Sequence, residues 1–196
     1  MSVVVRREER PEGGHIAHVT IDNIGKLNSL NRELMIEIVS AVAGLGDDPQ
    51  LRLAVVRGAG ERAFVGGADV GEIAALDYVT ARSFITLVHR CCDGFRHLAV
   101  PVIARIDGYA LGAGLELACA CDLRVASKRA IFGMPEVRIG IPSVVEAALL
   151  PKLITLPKPS FWWAAQSRMA TQSAPDCEMT EMRPAPGNDG AKVAFM

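Results

Sequence analysis

Two glutamates and two glycine-rich loops are the parts of this sequence whose residue types could do chemistry. Glu116 stands in GAGLELACAC, a carboxylate set among small and apolar residues. Glu136 follows Pro135 in FGMPE, where the chain is held extended or turning. Each has an ordinary explanation. An acid in the first turn of a helix suits the helix dipole, and Glu136 could pair at the surface with Arg129 or Arg138. Together, two carboxylates can share acid and base work on one water. The loops are GAGERAFVGGAD, Gly58 to Asp69, and DGYALGAG, Asp107 to Gly114. Each follows a strand-like run and precedes a helix-like one. The first N–H groups of a helix lack intrahelical partners. One such group from each loop, converging on a single carbonyl oxygen, would form an oxyanion hole. The small residues Ala68 and Ala113 would let a ligand come close. Tight turns account for the glycines more simply, and the loops alone favour that plainer reading.

Other chemistries fit less well. Gly112-Ala-Gly114 lacks the third glycine of a dinucleotide fingerprint, and no Gly-Lys-Ser/Thr follows a loop. There is no Gly-x-Ser-x-Gly elbow. His15, His18, His89 and His97 have no metal-ligand spacing, so no metal is expected. The five cysteines, Cys91, Cys92, Cys119, Cys121 and Cys177, are odd in number and form no Cys-x-x-Cys pair. They are expected to be buried, inert thiols in a reducing cytoplasm. A formal net charge of −1 gives neither a nucleic-acid footprint nor a basic membrane patch. No apolar run approaches the ~18 residues of a membrane span, and the N-terminus has no signal or transit pattern.

The elements that must position these residues follow from hydrophobic period. The chain has 196 residues, half of them hydrophobic and 22% charged, enough for one domain with a real core. HIAHVTID, His15 to Asp22, alternates as a strand with one buried face. NIGKLNSLN is a loop whose Ser29 or Asn31 could cap a helix from Arg32 to about Gly44, with Leu34, Met35, Ile38, Val39 and Val42 on one face. LRLAVVR, Leu51 to Arg57, is a second strand. A helical region from about Val70 to Leu98 is expected to break near Asp77. Val100 to Ile106 reads as a strand covered on both faces. Leu115 to Ala120 suits a buried helix, Leu123 to Ala126 a short strand, and Ala130 to Gly133 an extended piece. Ser143 could cap a helix to about Leu150, with Glu146 at the capping-box position. Asp69 and Asp122 are expected to cap or bridge locally. The recurring strand, glycine loop and helix belong to an α/β protein whose ligands meet the loops at helix starts.

At this point the sequence resembles the enoyl-CoA hydratase/isomerase, or crotonase, superfamily. The likeness is carried by LNSLN, RAFVGGAD, PVIARIDGYALGAGLELACACDLRVAS and AIFGMPEVRIGIPS, in this order. It covers about Val3 to Ile154, and the central segment followed by FGMPE is highly specific. The resemblance implies an α/β fold built as a spiral of ββα units. It implies an oxyanion hole for an acyl-CoA thioester carbonyl, formed by the N–H groups of Ala68 and Ala113. It places Glu116, as the main base, and Glu136, as the acid, on the water that adds across the α,β double bond. Substrate-binding positions would be Lys26, Leu27, Ser29, Asp69, Val70, Gly112, Gly114 and Pro135. The implied reaction is hydration of trans-2-enoyl-CoA to 3-hydroxyacyl-CoA. It would use no cofactor, since coenzyme A arrives with the substrate, in a cytoplasmic homotrimer or hexamer with no nucleic-acid or membrane partner.

The sequence also departs from that family. Gly71 stands where a lysine is common, and Ser143-Val-Val-Glu146 replaces glycines after Pro142. From Thr155 no period is sustained, and the stretch carries five of the eleven prolines and both tryptophans. We therefore expect a core domain over 1–154 and an atypical Pro-rich tail over 155–196. That tail would be mostly coil apart from a short helix around Phe161 to Met169. It would stand where the family's C-terminal helices are missing or replaced, as a shifted or alternatively terminated reading frame would produce. The alternatives kept open are another acyl-CoA chemistry of the superfamily, isomerase, hydrolase or dehalogenase, and a non-catalytic remnant that binds acyl-CoA or joins intact subunits.

Overall fold

The computed structural model describes residues 1–136, 145–153 and 192–194. The chain opens with β1 (Ser2–Glu9) and β2 (His15–Asp22), an antiparallel hairpin. A single 3-10 turn, Ile24–Lys26, leads into α1 (Arg32–Gly46). Asn31, not Ser29, caps α1 by accepting from the Leu34 N–H. Then come β3 (Leu51–Gly58), β4 (Ala63–Val65), α2 (Val70–Ala74) and α3 (Tyr78–Arg96). The break expected near Asp77 is a reciprocal cap: Asp77 bonds the Thr80 N–H while the Thr80 hydroxyl accepts from the Asp77 N–H. The chain continues through β5 (Val102–Ile106), β6 (Tyr109–Leu111), α4 (Ala113–Ala120), β7 (Leu123–Ala126) and β8 (Ile131–Gly133). A 3-10 turn (Ala147–Leu149) and α5 (Leu150–Leu153) follow, and β9 (Lys192–Ala194) is the last described element.

Two sheets organise these strands. The larger has the order β1-β2-β3-β5-β7-β9, parallel from β2 to β7 and antiparallel at both edges. The smaller is the parallel trio β4-β6-β8. Each turn of chain thus lays one strand in the large sheet and the next in the small one: β3 then β4, β5 then β6, β7 then β8. Helices return the chain after the first two pairs. This is the spiral of ββα units that the resemblance implied.

The core lies between the large sheet and its helices. Ala17, Val19 and Ile21 of β2, Ala54 and Val56 of β3, and Val102, Ala104 and Ile106 of β5 are buried there. They meet Leu34, Met35, Ile38, Val42 and Leu45 of α1 and Phe84, Val88 and Phe95 of α3. The strand expected to be covered on both faces is covered fully on one: Ile103 is half-buried and Arg105 exposed. Every residue of α4 is buried. Cys91, Cys92, Cys119 and Cys121 are buried, and burial pushes the Cys91 and Cys121 thiols up to about 12 and Cys119 to about 11. Cys177, Ser143 and the helix expected over Phe161 to Met169 lie outside the described residues. Of the tail from 155 onward, only β9 is described. Glu146 stands at the cap position of the turn Ala147–Leu149 but makes no capping bond with its side chain.

Candidate active site

The site is assembled where the small sheet meets the start of α4. The first contributor is the loop of residues 23–31. Leu27 and Asn28 both adopt left-handed backbone, φ 55° and 56°. Such residues cost on the order of 1–3 kcal/mol each unless the surroundings enforce them. Asn28 supplies the enforcement. Its buried amide donates to the carbonyls of Ala59, 2.9 Å, and Ala63, 2.8 Å, and its Oδ1 accepts from the Asn23 N–H at 3.0 Å. The loop is then stitched to the first glycine loop. Gly66 N–H donates to Leu27, Leu30 N–H to Gly67 and Asp69 N–H to Leu30, each at 2.8 Å. Those last two bonds make a parallel bridge between Leu30 and Ala68. The N–H and C=O of Ala68 itself therefore point to the side away from Leu30.

The proposed substrate-binding positions divide by environment. Lys26 is exposed and its Nζ lies 2.7 Å from Asp69 Oδ2, which holds the Asp69 carboxyl below its ordinary range. Asp69 also caps α2 through the Glu72 N–H at 3.1 Å. Both residues border a cleft of about 580 Å³ shared with Asn31, Arg32 and Ile36. Val70 is exposed at the start of α2, and Pro135 is exposed beside Glu136. Ser29 is buried, and its backbone holds the loop, accepting from the Asn23 amide at 2.9 Å. Asp122, as expected, bridges locally, accepting from the Val102 N–H at 2.8 Å.

The second glycine loop packs against the first. A Cβ on Gly67 would stand 3.3 Å from the Leu111 carbonyl oxygen, and one on Gly114 only 2.1 Å from the Val65 carbonyl oxygen. Only glycine permits that second approach, so α4 begins directly against β4. Gly112 caps α4 with φ 50° and ψ −120°, and its N–H donates to Gly133 at 2.8 Å. A Cβ there would meet Glu136 Oε2 at 3.1 Å. Glu136 thus lies over Gly112, at the start of α4. Ala113 is the first residue of α4, so its N–H has no intrahelical acceptor.

Glu116 sits one turn further on, 3% exposed. Its Oε1 accepts from the Glu146 N–H at 3.0 Å. Burial pushes its carboxyl from 4.5 up to about 7; the Glu136 charge acts in the same sense and the Glu146 N–H opposes it. The two carboxylates singled out in the sequence therefore feel one another. Arg129, one of the cations that could have paired Glu136, instead binds Asp107 at 2.7 Å and Glu61 at 2.9 Å. Arg138 lies outside the described residues.

Sequence reasoning missed two participants. Asn28 was hidden because a polar residue in a polar loop gives no sign of burial. Glu146 was given the capping-box position of a helix capped by Ser143, yet its buried carboxylate binds Arg96 and, at 2.9 Å, His89. Both partners come from the last turns of α3, 57 and 50 residues back in the chain, and no short-range pattern predicts that pairing.

The comparisons with known proteins agree with this architecture. A family model described as enoyl-CoA hydratase/isomerase matches residues 11–175, past Ile154 where the resemblance had been expected to stop. The chain is 36% identical over 154 residues to crotonyl-CoA hydratase of Syntrophomonas wolfei, covering 78% of this chain and 57% of that protein. It is 38% identical over 128 residues to short-chain-enoyl-CoA hydratase of Clostridium acetobutylicum, covering 65% and 49%. The chain spans about half the length of these curated relatives. Among solved structures, an enoyl-CoA hydratase from Bacillus anthracis superposes with a TM-score of 0.71 at 29% identity, over 80% of this chain and 60% of that one. Another from Thermoplasma volcanium gives 0.71 at 29%, over 87% and 64%. With the spiral of ββα units, the paired glycine loops and a family match over most of its length, this chain belongs to the enoyl-CoA hydratase/isomerase family.

Proposed function

We propose that the protein hydrates trans-2-enoyl-CoA thioesters to 3-hydroxyacyl-CoA. The observation that carries this reading is Glu116: a carboxyl buried one turn into α4, raised to about 7, and coupled to Glu136. A general base works best with a pKa near the operating pH. The thioester carbonyl oxygen would accept from the N–H groups of Ala68 and Ala113, which draws electron density from Cβ. Glu116 would take a proton from water as its oxygen bonds to Cβ. The C=C electron pair moves toward the carbonyl, giving an enolate that the two N–H donors stabilise by a few kcal/mol each. Glu136, protonated at the start, would then deliver its proton to Cα and regain one from Glu116, directly or through water, so that one water is added in all and the pair is restored. The charge of Glu136 bears on Glu116, and the base and acid labels describe the two residues in the forward direction. Coenzyme A belongs to the substrate, and the reaction calls for no further cofactor. The S. wolfei and C. acetobutylicum relatives bear names of enoyl-CoA hydratases, which supports the substrate class.

The test is turnover of crotonyl-CoA by the purified full chain, followed by loss of the conjugated thioester absorbance. Hydration that disappears in Glu116→Gln and in Glu136→Gln is the expected result. Wild-type rates in either variant would sink the mechanism.

A further inference from the structure

We propose that Glu146 is a positioning residue for Glu116: clamped by Arg96 and His89 of α3, it holds the Glu116 carboxylate in one orientation with its own backbone N–H. The kinetic part of this inference rests on the hydration reading above; the contact itself does not.

The geometry is a chain of three contacts. Arg96 Nη2 binds one carboxylate oxygen of Glu146 and His89 Nδ1 lies 2.9 Å from the other. Those two residues sit seven positions apart on α3, two turns along one helix face. The Glu146 N–H then donates to Glu116 Oε1 at 3.0 Å. Burying a carboxylate, as Glu146 is buried, is costly unless it is paired. The segment does not need that charge merely to stay attached. Leu150 already packs with Leu115 and Cys119 of α4, joined by Ala147, Leu149 and Leu153. Nor is the carboxylate used to cap the turn it precedes. What the clamp fixes is the place of one N–H, and that N–H falls on the residue assigned as base. The neighbouring Ala147 N–H acts on the same carboxylate in the same sense. The other titratable groups that act on Glu116 or feel its charge are Glu136, the Glu146 carboxylate, and the thiols of Cys92 and Cys119.

The test uses the full chain and two readouts. In Arg96→Met, kcat for crotonyl-CoA is expected to fall about tenfold to hundredfold, the scale of a small misplacement of a reacting group. KM is expected to stay within about twofold, as for a loss confined to the transition state, and Arg96→Lys should recover part of the loss. The second readout is the Glu146 amide proton by NMR. Its shift should follow the ionisation of Glu116 in the wild type and lose that titration in Glu116→Gln and in Arg96→Met. The double variant Arg96→Met/Glu146→Met leaves no uncompensated buried charge; it should fold and still lose kcat. A folded double variant with wild-type kcat overturns the proposal. So does a wild-type amide resonance that ignores Glu116. If the wild type does not hydrate crotonyl-CoA, the hydration reading fails, and the amide titration by itself decides the positioning contact.

Discussion

Replacing Glu116 with glutamine should abolish turnover and, at neutral to alkaline pH, make the folded protein more stable. The sign follows from burial. Glu116 titrates near 4.5 in the unfolded chain and at about 7 in the fold. Below 4.5 it is neutral in both states and weighs on neither. As pH rises from 4.5 through 7 the unfolded chain releases its proton first, and folding becomes progressively less favourable. Above 7 the penalty is complete. At about 1.4 kcal/mol per unit, the displacement corresponds to about 3 kcal/mol. Glutamine is neutral throughout and keeps an oxygen for the Glu146 N–H that now bonds Oε1 at 3.0 Å. Urea unfolding of wild type and Glu116→Gln, near pH 4.5 and near pH 8, measures the difference directly. The variant should be more stable by about 3 kcal/mol near pH 8, and the gap should close near pH 4.5. Its kcat should fall by a factor of at least about 100. A stability gap independent of pH, or a variant less stable than wild type near pH 8, would refute the reasoning that burial holds this carboxyl up.

Three further substitutions probe the parts around it. Gly112→Ala forces a side chain onto φ 50° and puts its Cβ 3.1 Å from Glu136 Oε2. It should cost about 1 kcal/mol or more in stability and at least about tenfold in kcat/KM, read by thermal melting and steady-state kinetics. Asn28→Ala leaves the Ala59 and Ala63 carbonyls and the Asn23 N–H without their partner. A loss of about 2–4 kcal/mol is expected in urea unfolding, and a loss under 0.5 kcal/mol would show that the left-handed pair Leu27-Asn28 holds itself. Lys26→Ala, beside the cleft it shares with Asp69, should raise KM for acyl-CoA severalfold while leaving kcat within about twofold, the pattern of uniform binding.

The large sheet was legible in the sequence because its strands are long enough to show a period. His15 to Asp22 and Leu51 to Arg57 were placed within one residue of β2 and β3. In the small sheet only β8 was, as the extended piece Ala130 to Gly133. β4 and β6 have three residues each, set between glycines, so no window can reveal alternation, and both were absorbed into loops. β1 was missed for another reason: SVVVRREE is half exposed and mostly charged in its second half, so it offers little burial to a pattern search. At the site, Glu116 was conspicuous because a carboxylate stood in an apolar helix. Asn28 and Glu146 were not, since what makes each unusual is burial created by residues 30 to 60 positions away. The helix break at Asp77 lay between these cases, announced by a local Asp-x-x-Thr pattern that the cap then used.

The alternation of strands between two sheets has a metric consequence. Ala68 and Ala113 stand just past β4 and β6, equivalent places on successive coils of the spiral. Neighbouring strands of a sheet lie about 4.8 Å apart. Two N–H donors that reach one oxygen along its two lone-pair directions, each about 2.9 Å from it, are themselves roughly 5 Å apart. The pitch of the repeat thus matches the bite of a two-point clamp on a carbonyl. A chain that winds this way would take that spacing from its hydrogen-bonded backbone, provided Gly112 and Gly114, on either side of Ala113, carry no side chain.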